Sequence, residues 1–277
     1  MFKDFIDAPE AAAPAVAGPP PGAAADWTVP QHWERFTEDE HRVWDLLFAR
    51  QHEMLNGRAV RAFAEGLDVL RLSRPGIPEL GELNQRLHAR TGWTVVSVPG
   101  LVPDEIFFAH LAERRFPAGN FIRRRDQLDY LEEPDVFHDV FGHVPLLALP
   151  AVGDFMQALG RKGLEALERG MLDRLARLYW YTVEFGLARE DGGLRIYGAG
   201  ILSSFGESRF SLDSAVPRRR RFALEEVLRT TYRSDAFQEG YFVIDSFEDL
   251  LETVIEADLD ALYDAVAPLP DLAPGRS

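Results

Sequence analysis

The hydrophobic and polar positions along the chain recur mostly with the period of an α-helix. Thr37 and Glu40 form a capping box, and apolar residues then follow at helical spacing, which predicts a helix from residue 37 to about residue 64. Ser246 is expected to cap a last helix that runs to about residue 266. The same spacing predicts helices in between, over residues 78–90, 103–114, 134–142, 152–168 and 172–187.

Extended segments are few and short. The β-branched run 94–98 predicts a strand, and shorter extended pieces are expected at 121–122, 194–197 and 241–244. The fold class expected is therefore mostly α, an α+β fold with a few short strands.

No repeat or linker divides residues 27–270, which are predicted to form one domain. Residues 1–26 are rich in Ala, Pro and Gly and are predicted to be a flexible tail. Order is expected to end after Pro268 and Pro270, with residues 271–277 disordered.

Charge and composition exclude several classes of partner and site. Thirty basic against 45 acidic residues give a net charge of −15, which disfavours nucleic acids and anionic membranes. No apolar run reaches the ~20 residues of a membrane span, and the N-terminus lacks a secretory pattern, so a cytoplasmic location is expected. The basic runs 123–125 and 218–221 are interpreted as solvated surface, apart from Arg123. Without cysteine, a metal would have to be held by His and carboxylate groups.

Two of the seven histidines, His138 and His143, lie five residues apart in an apolar segment. Buried imidazoles need partners, because an unpaired buried polar group is costly. On a straight α-helix, residues five apart diverge by about 140°, so both rings reach one ion only if the helix ends between them. Gly142 and Pro145 are expected to end it, since Gly adopts the positive φ of helix ends and Pro disfavours helix before it.

The carboxylate that would complete such a site is Glu184. Ala176, Tyr179, Trp180 and Glu184 fall at i, i+3, i+4 and i+8, on one face of one helix, so Glu184 faces the interior if Trp180 does. Two histidines and one carboxylate match the facial triad of non-haem Fe(II) oxygenases. Zinc with an activated water can use similar ligands, and spacing alone does not decide between the metals.

Three segments, 138–146, 179–187 and 197–207, resemble in order and spacing the signature segments of the pterin-dependent aromatic amino acid hydroxylases. The resemblance runs from about Trp27 to the end of the chain. It implies a mostly helical basket, and a reaction in which Fe(II), a tetrahydropterin and O₂ hydroxylate the ring of an aromatic amino acid. It also implies that His138, His143 and Glu184 hold the iron, and that residues 27–270 are the catalytic domain.

Other expected roles come from the resemblance, position by position. Residues expected to bind the pterin are Gly100, Leu101, Val102, Asp104, Phe107, Asp139, Ala176 and Tyr179, with Phe107 stacking on its ring. Arg123 is expected to pair with the substrate carboxylate, which suits its planar fork, and Ser203 to help hold that group. The walls of the pocket for the substrate ring are expected to be Pro134, Trp180, Phe185 and Gly200.

The chain also departs from the animal members of this family. Leu131 replaces a threonine that assists at the substrate carboxylate, and Asp139 stands where glutamate is frequent. The chain lacks an N-terminal regulatory domain and a C-terminal heptad repeat, which predicts a monomer.

The resemblance also implies the substrate, because an aromatic of the size of Trp180 narrows the ring pocket in the phenylalanine-type members of the family. L-phenylalanine is therefore the expected substrate and L-tyrosine the expected product, with tryptophan hydroxylation as the alternative within the family. Outside the family, two hypotheses for the metal site stay open. One is a zinc hydrolase with Asp139 or Glu207 as general base, and the other is a purely structural metal site.

Overall fold

The computed structural model describes residues 18–129 and 133–275, and these are mostly helical. The helices are α1 (Glu38–Leu55), α2 (Arg61–Leu70), α3 (Leu80–Thr91), α4 (Asp104–Ala112), α5 (Val144–Leu147), α6 (Pro150–Glu168), α7 (Leu172–Tyr179), α8 (Ala199–Leu202), α9 (Phe205–Asp213), α10 (Leu224–Arg229), α11 (Phe247–Glu256) and α12 (Leu259–Val266). Two π-helices, here called πA (Phe137–His143) and πB (Trp180–Glu184), interrupt them. The prediction of a mostly α fold with a few short strands is confirmed.

The strands form two small sheets. They are β1 (Thr94–Val98), β2 (Arg115–Gly119), β3 (Leu187–Glu190), β4 (Gly193–Ile196), β5 (Arg218–Arg221) and β6 (Gly240–Ile244). β1 pairs in parallel with β2, and the second sheet has the order β4-β3-β6-β5. β1 lies where the β-branched run predicted it. The extended piece predicted at 121–122 is wrong, because the strand that pairs with β1 ends at Gly119.

Helix boundaries differ from the sequence prediction where a local break intervenes. The helix predicted over 37–64 begins at the Thr37 capping box but ends at Leu55, and Gly57 then adopts a φ of 69° before α2 begins. The last helix predicted from Ser246 is two helices, since Ala257 is extended and Asp258 caps α12. In both places apolar residues keep their helical spacing across the turn, so the spacing alone does not show that the helix is interrupted.

The basic run 218–221 is a strand and not simply a solvated surface. Arg220 lies over the ring of Phe242, with its guanidinium carbon 4.6 Å from the ring centroid, and forms an ion pair with Glu226. Arg219 donates to the carbonyl oxygens of Ser211, Ser214 and Pro217. The two central arginines of β5, Arg219 and Arg220, therefore attach the strand to its neighbours.

Both ends of the described chain contact the fold. The carboxylate of Asp26 accepts a hydrogen bond from Arg115 over 2.9 Å, and its carbonyl oxygen accepts one from His110 over 2.8 Å. Asp271, where disorder was predicted to begin, pairs with Arg174 and Arg177 over 2.6 and 2.8 Å. Two arginines therefore hold the carboxylate of this residue. The predicted tail over residues 1–17, and residues 276–277, lie outside the described residues.

α2 and α5 pack closely beside πA. A Cβ atom on Gly66 of α2 would lie 2.1 Å from the carbonyl oxygen of Pro145, so only glycine allows this approach. Within the described ranges, no helix is both long and apolar enough to span a bilayer.

Candidate metal centre

His138, His143 and Glu184 each bring one ligand atom to within 4.8 Å of the others. The Nε2 atoms of the two histidines are 3.3 Å apart. The Glu184 oxygens lie 3.4 Å from Nε2 of His143 and 3.6 Å from Nε2 of His138. These separations leave room for one ion at the ~2.0–2.2 Å typical of imidazole and carboxylate ligands. The predicted trio therefore fits a mononuclear metal.

The two histidines lie in πA, whose hydrogen bonds span five residues instead of four. The wider turn accommodates one more residue, so side chains five apart lie on the same face, as side chains four apart do in an α-helix. The predicted helix end at Gly142 and Pro145 is wrong, because Gly142 is helical and Pro145 lies in α5. Gly142 serves a close contact instead: a Cβ there would lie 3.0 Å from the Ala199 carbonyl oxygen.

Glu184 ends the second π-helix, πB. The amide of Phe185 donates to the Trp180 carbonyl oxygen over 2.8 Å, a five-residue hydrogen bond that closes the wide turn. Ala176, Tyr179 and Glu184 are buried and Trp180 is half-buried. The prediction that Glu184 faces the interior is confirmed, although πB and not a regular α-helix places it there.

Ser203 sets the orientation of His138. The Ser203 hydroxyl donates to the Ala199 carbonyl oxygen over 2.8 Å, so its oxygen accepts from Nδ1 of His138, also over 2.8 Å. The proton then sits on Nδ1, and the Nε2 lone pair points to the metal position. To donate to a substrate carboxylate, as predicted, the Ser203 hydroxyl would have to give up its hydrogen bond to the Ala199 carbonyl oxygen.

Burial shapes the charges of the cluster. It lowers the pKa of His138 to about 4, so this imidazole is neutral near pH 7. For Glu184, burial would raise the pKa, but the two imidazoles more than offset it and the pKa falls to about 2. At neutral pH the site therefore presents an unprotonated imidazole and a carboxylate, the forms that bind a divalent metal.

Asp139, which follows His138, is also buried. Burial raises its pKa to about 7, although the carboxylate accepts a hydrogen bond of 2.8 Å from the Gly119 amide. Asp139 is therefore partly protonated near neutral pH.

Arg123 is held by an acid that the sequence analysis did not single out. Its Nε and Nη2 donate to the two oxygens of Asp135 over 2.8 and 2.9 Å. Asp135 is fully buried and also accepts from the amide of His138 over 3.0 Å. Burial alone would raise the pKa of Asp135, but the guanidinium more than offsets it and the pKa is lowered. Among the described residues, Nη1 of Arg123 has no hydrogen-bond partner, which leaves it for a ligand carboxylate.

The neighbouring arginines have the surface role that the sequence predicted. Arg124 is exposed and pairs with Asp126, and Arg125 is exposed and pairs with Asp39.

The residues predicted to bind a pterin fall in two groups. Gly100, Leu101 and Val102 lie in the loop that leads into α4, and Asp104 is the first residue of that helix. The exposed Leu101 donates its amide to Glu133 over 3.2 Å.

The second group is aromatic. The rings of Phe107 and Tyr179 meet edge to face at 5.6 Å, and Tyr179 lies 6.5 Å from the His143 ring. Ala176 is buried one turn before Tyr179. An aromatic wall beside an exposed loop suits a flat heterocycle, but Phe107 is 1% exposed, so stacking on its face needs its neighbours to move.

Three of the four predicted substrate-pocket residues are brought together. The rings of Trp180 and Phe185 are 4.6 Å apart, and a Cβ on Gly200 would lie 2.8 Å from Phe185. The carbonyl of Pro134 instead lies beside Gly119, on the side of Asp139. Leu131, the predicted departure at the substrate carboxylate, lies outside the described residues.

Two further residues at this pocket were missed. Tyr232 stacks on Trp180 with 4.2 Å between ring centroids and 14° between planes. Gln238 accepts a hydrogen bond of 2.9 Å from the Trp180 indole. Both lie in the irregular segment between α10 and β6, where no periodic signal marks them.

A buried site of two histidines and one carboxylate, open to further ligands, defines the class of mononuclear non-haem metal enzymes. The model of the biopterin-dependent aromatic amino acid hydroxylase family matches residues 28–260. This chain belongs to that family, as its three segments predicted.

Curated relatives cover almost the whole chain. The phenylalanine-4-hydroxylase of Caulobacter vibrioides is 58% identical over 92% of this chain and 86% of the relative. That of Ralstonia nicotianae is 55% identical over 90% and 80%, respectively.

Solved structures of phenylalanine hydroxylases are also similar to this chain in sequence and fold. Chromobacterium violaceum phenylalanine hydroxylase with bound iron(III) and 7,8-dihydrobiopterin is 50% identical, covering 91% of this chain and 90% of that one, with a TM-score of 0.87. The same enzyme with iron and phenylalanine bound is 47% identical, covers 92% of each chain and also has a TM-score of 0.87.

Proposed function

We propose that this protein is an iron- and tetrahydropterin-dependent monooxygenase that converts L-phenylalanine and O₂ to L-tyrosine. The observation that carries the proposal is the buried cluster of His138, His143 and Glu184 in a chain of this family. The substrate is supported by the phenylalanine hydroxylases that share more than half of its sequence.

His138, His143 and Glu184 would hold the iron, which with the pterin supplies the activation of O₂. The chain's own part is to keep the ligands in place. Ser203 holds His138 in the tautomer that binds metal, and Asp135 accepts from the His138 amide at the start of πA. Gly142 lets πA approach α8, which carries the acceptor for Ser203.

Substrate binding divides between a charged and an aromatic contact. Nη1 of Arg123 would pair with the substrate carboxylate, while Asp135 keeps the guanidinium oriented and balances its charge. Trp180, Phe185 and Gly200 would hold the ring and exclude water from it. Two fixed points determine which carbon of the ring faces the metal.

The pterin would lie between the loop 100–104 and the aromatic wall of Phe107 and Tyr179, with Asp139 near it. The Leu101 amide, now bonded to Glu133, is a donor for a pterin carbonyl. Ala176 would line the side toward the metal.

The alternatives lack equal support. A zinc hydrolase would need a general base at the metal, but Glu207 already accepts hydrogen bonds from Tyr241 and the Gln238 amide. Asp139 lies beside His138, but membership of the hydroxylase family favours iron and not zinc at this site. Tryptophan hydroxylation is less well supported, because the curated relatives that share more than half of the sequence are phenylalanine hydroxylases.

We also propose, from the sequence alone, that residues 27–270 are the catalytic domain and that the enzyme is a cytoplasmic monomer without nucleic-acid or membrane partners. Light scattering on the full chain tests the monomer.

The test of function uses the full chain with Fe(II), a tetrahydropterin, O₂ and phenylalanine. Tyrosine should form, a chelator should abolish it, and tryptophan should be a poorer substrate. Glu184→Gln should lose iron, whereas Glu168→Gln, on the exposed end of α6, should keep it. Activity with zinc in the absence of pterin would overturn the proposal.

A further inference from the structure

The indole of Trp180 is held on two sides by the segment between α10 and β6. One face of the indole stacks on Tyr232 at 4.2 Å, and Nε1 donates to Oε1 of Gln238 over 2.9 Å. Tyr232 and Gln238 both belong to the segment between α10 and β6, 58 residues from Trp180 in the case of Gln238. The orientation of the indole is therefore set by a distant part of the chain.

The side-chain amide of Gln238 can take only one orientation. Its Nε2 donates to the carbonyl oxygens of Arg233 and Ala236 over 2.8 and 3.3 Å, so Oε1 must face Trp180. A flipped amide would point NH₂ at the indole N–H and its oxygen at two carbonyls, leaving buried polar groups unpaired. Gln238 is 3% exposed, so water cannot replace these bonds.

A buried acid fixes the backbone at Gln238. Oε1 of Glu207 accepts from the Gln238 amide over 3.1 Å and from the hydroxyl of Tyr241. Glu207 is 4% exposed and lies in α9. The reaction proposed above uses neither Glu207 nor Gln238.

We propose that Gln238 is a positioning residue that sets the indole angle of Trp180 and thereby the selectivity of the pocket for the phenylalanine ring. A 180° turn of the indole would break the bond to Gln238 and move the six-membered ring of Trp180 within the pocket. The inference rests on the proposed function, since it assumes that Trp180 lines the substrate pocket.

The first experiment compares Gln238→Leu with wild type in iron-loaded, pterin-supplied enzyme. We expect kcat/KM for phenylalanine to fall about tenfold, as the loss of a buried hydrogen bond implies. The preference for phenylalanine over tryptophan should fall, and fewer tyrosines should form per pterin oxidised. Iron content should not change. Gln157→Leu, which removes a side chain bonded to Arg114 and Ala112, is the matched control and should behave as wild type.

A double-mutant cycle with Trp180→Phe tests whether Gln238 acts through the indole of Trp180. Phe keeps an aromatic ring but has no N–H, so Gln238→Leu should cost less than about twofold further in that background. An equal loss in both backgrounds would overturn the role through Trp180. Unchanged selectivity in Gln238→Leu would do the same.

The indole N–H gives a readout without turnover. In ¹⁵N-labelled wild-type protein the Trp180 Nε1–H, assigned by its loss in Trp180→Phe, should be protected from solvent exchange. Gln238→Met should lose the protection, and rapid exchange in wild type would overturn the proposal even if no Gln238 variant folds. If wild type makes no tyrosine, the proposed function fails while this measurement still reports on the contact.

Discussion

The hydroxyl of Ser203 lies 2.8 Å from Nδ1 of His138 and donates its own proton to the carbonyl oxygen of Ala199. The imidazole must then carry its proton on Nδ1, with the Nε2 lone pair directed toward His143 and Glu184. The tautomer that binds metal is therefore selected by the protein before an ion binds.

Ser203→Ala should weaken Fe(II) or Co(II) binding by about 10–100-fold, because the ring loses the acceptor that fixes its tautomer and angle. Metal titration of the apoprotein measures the effect. Ser211→Ala, at another buried serine of the described chain, is the control and should leave metal affinity unchanged. Equal affinities for Ser203→Ala and wild type would show that πA alone orients His138.

Gly142→Ala should disturb the contact between πA, which carries His138, and α8, which carries Ala199. The new Cβ would lie 3.0 Å from the Ala199 carbonyl oxygen and 3.1 Å from the Ala199 Cβ, so πA and α8 must move apart. We expect a loss of about 1–3 kcal/mol in the free energy of unfolding, measured with urea, and weaker metal binding. Gly18→Ala, where a Cβ would meet no atom of the described residues within 4 Å, should change neither quantity.

The sequence predicted those elements whose signals are local. The Thr37 capping box, the β-branched run of β1 and the Ser246 cap of α11 each depend on neighbouring residues, and all three occur in the structure. The two histidines and Glu184 could be selected as ligands because few residue types bind metal in a chain without cysteine. Iron in preference to zinc came from the family resemblance, not from spacing.

The π-helices could not be predicted, because a helical period of 3.6 residues was assumed throughout. The contact that holds πA against α8 is tertiary, between Gly142 and Ala199, and leaves no local signal. Asp135 and Gln238 were missed for the same reason: their importance lies in contacts with Arg123 and Trp180.

Asp135→Asn should be the most damaging change outside the metal ligands. It leaves the buried Arg123 without its counter-charge, which typically costs about 3–5 kcal/mol. It should also raise KM for phenylalanine while iron stays bound. Since Arg123 lowers the pKa of Asp135, the stability difference from wild type should shrink as the pH falls below about 4.

Urea unfolding and phenylalanine saturation measure these effects. Asp126→Asn removes an exposed partner of Arg124 and is the matched control, for which little change is expected. If Asp135→Asn keeps wild-type KM, then Arg123 does not bind the substrate through an orientation that Asp135 sets.

Asp139→Asn should stabilise the metal-free protein at high pH. Burial raises the pKa of Asp139 from 3.8 to about 7, so the folded state binds a proton that the unfolded chain has lost between these values. This acid therefore lowers stability progressively as the pH rises from about 4 to about 7, and by a constant amount above. The asparagine carbonyl can still accept from the Gly119 amide, but it carries no charge to bury.

Urea unfolding in the presence of a chelator should show Asp139→Asn more stable than wild type at pH 8, by up to about 4 kcal/mol. The two proteins should converge near pH 4. Bound Co(II) should reduce the difference at pH 8, because a divalent cation nearby favours the ionised carboxylate. Equal stabilities at pH 8 without metal would mean that Asp139 ionises in the folded protein as readily as in the unfolded chain.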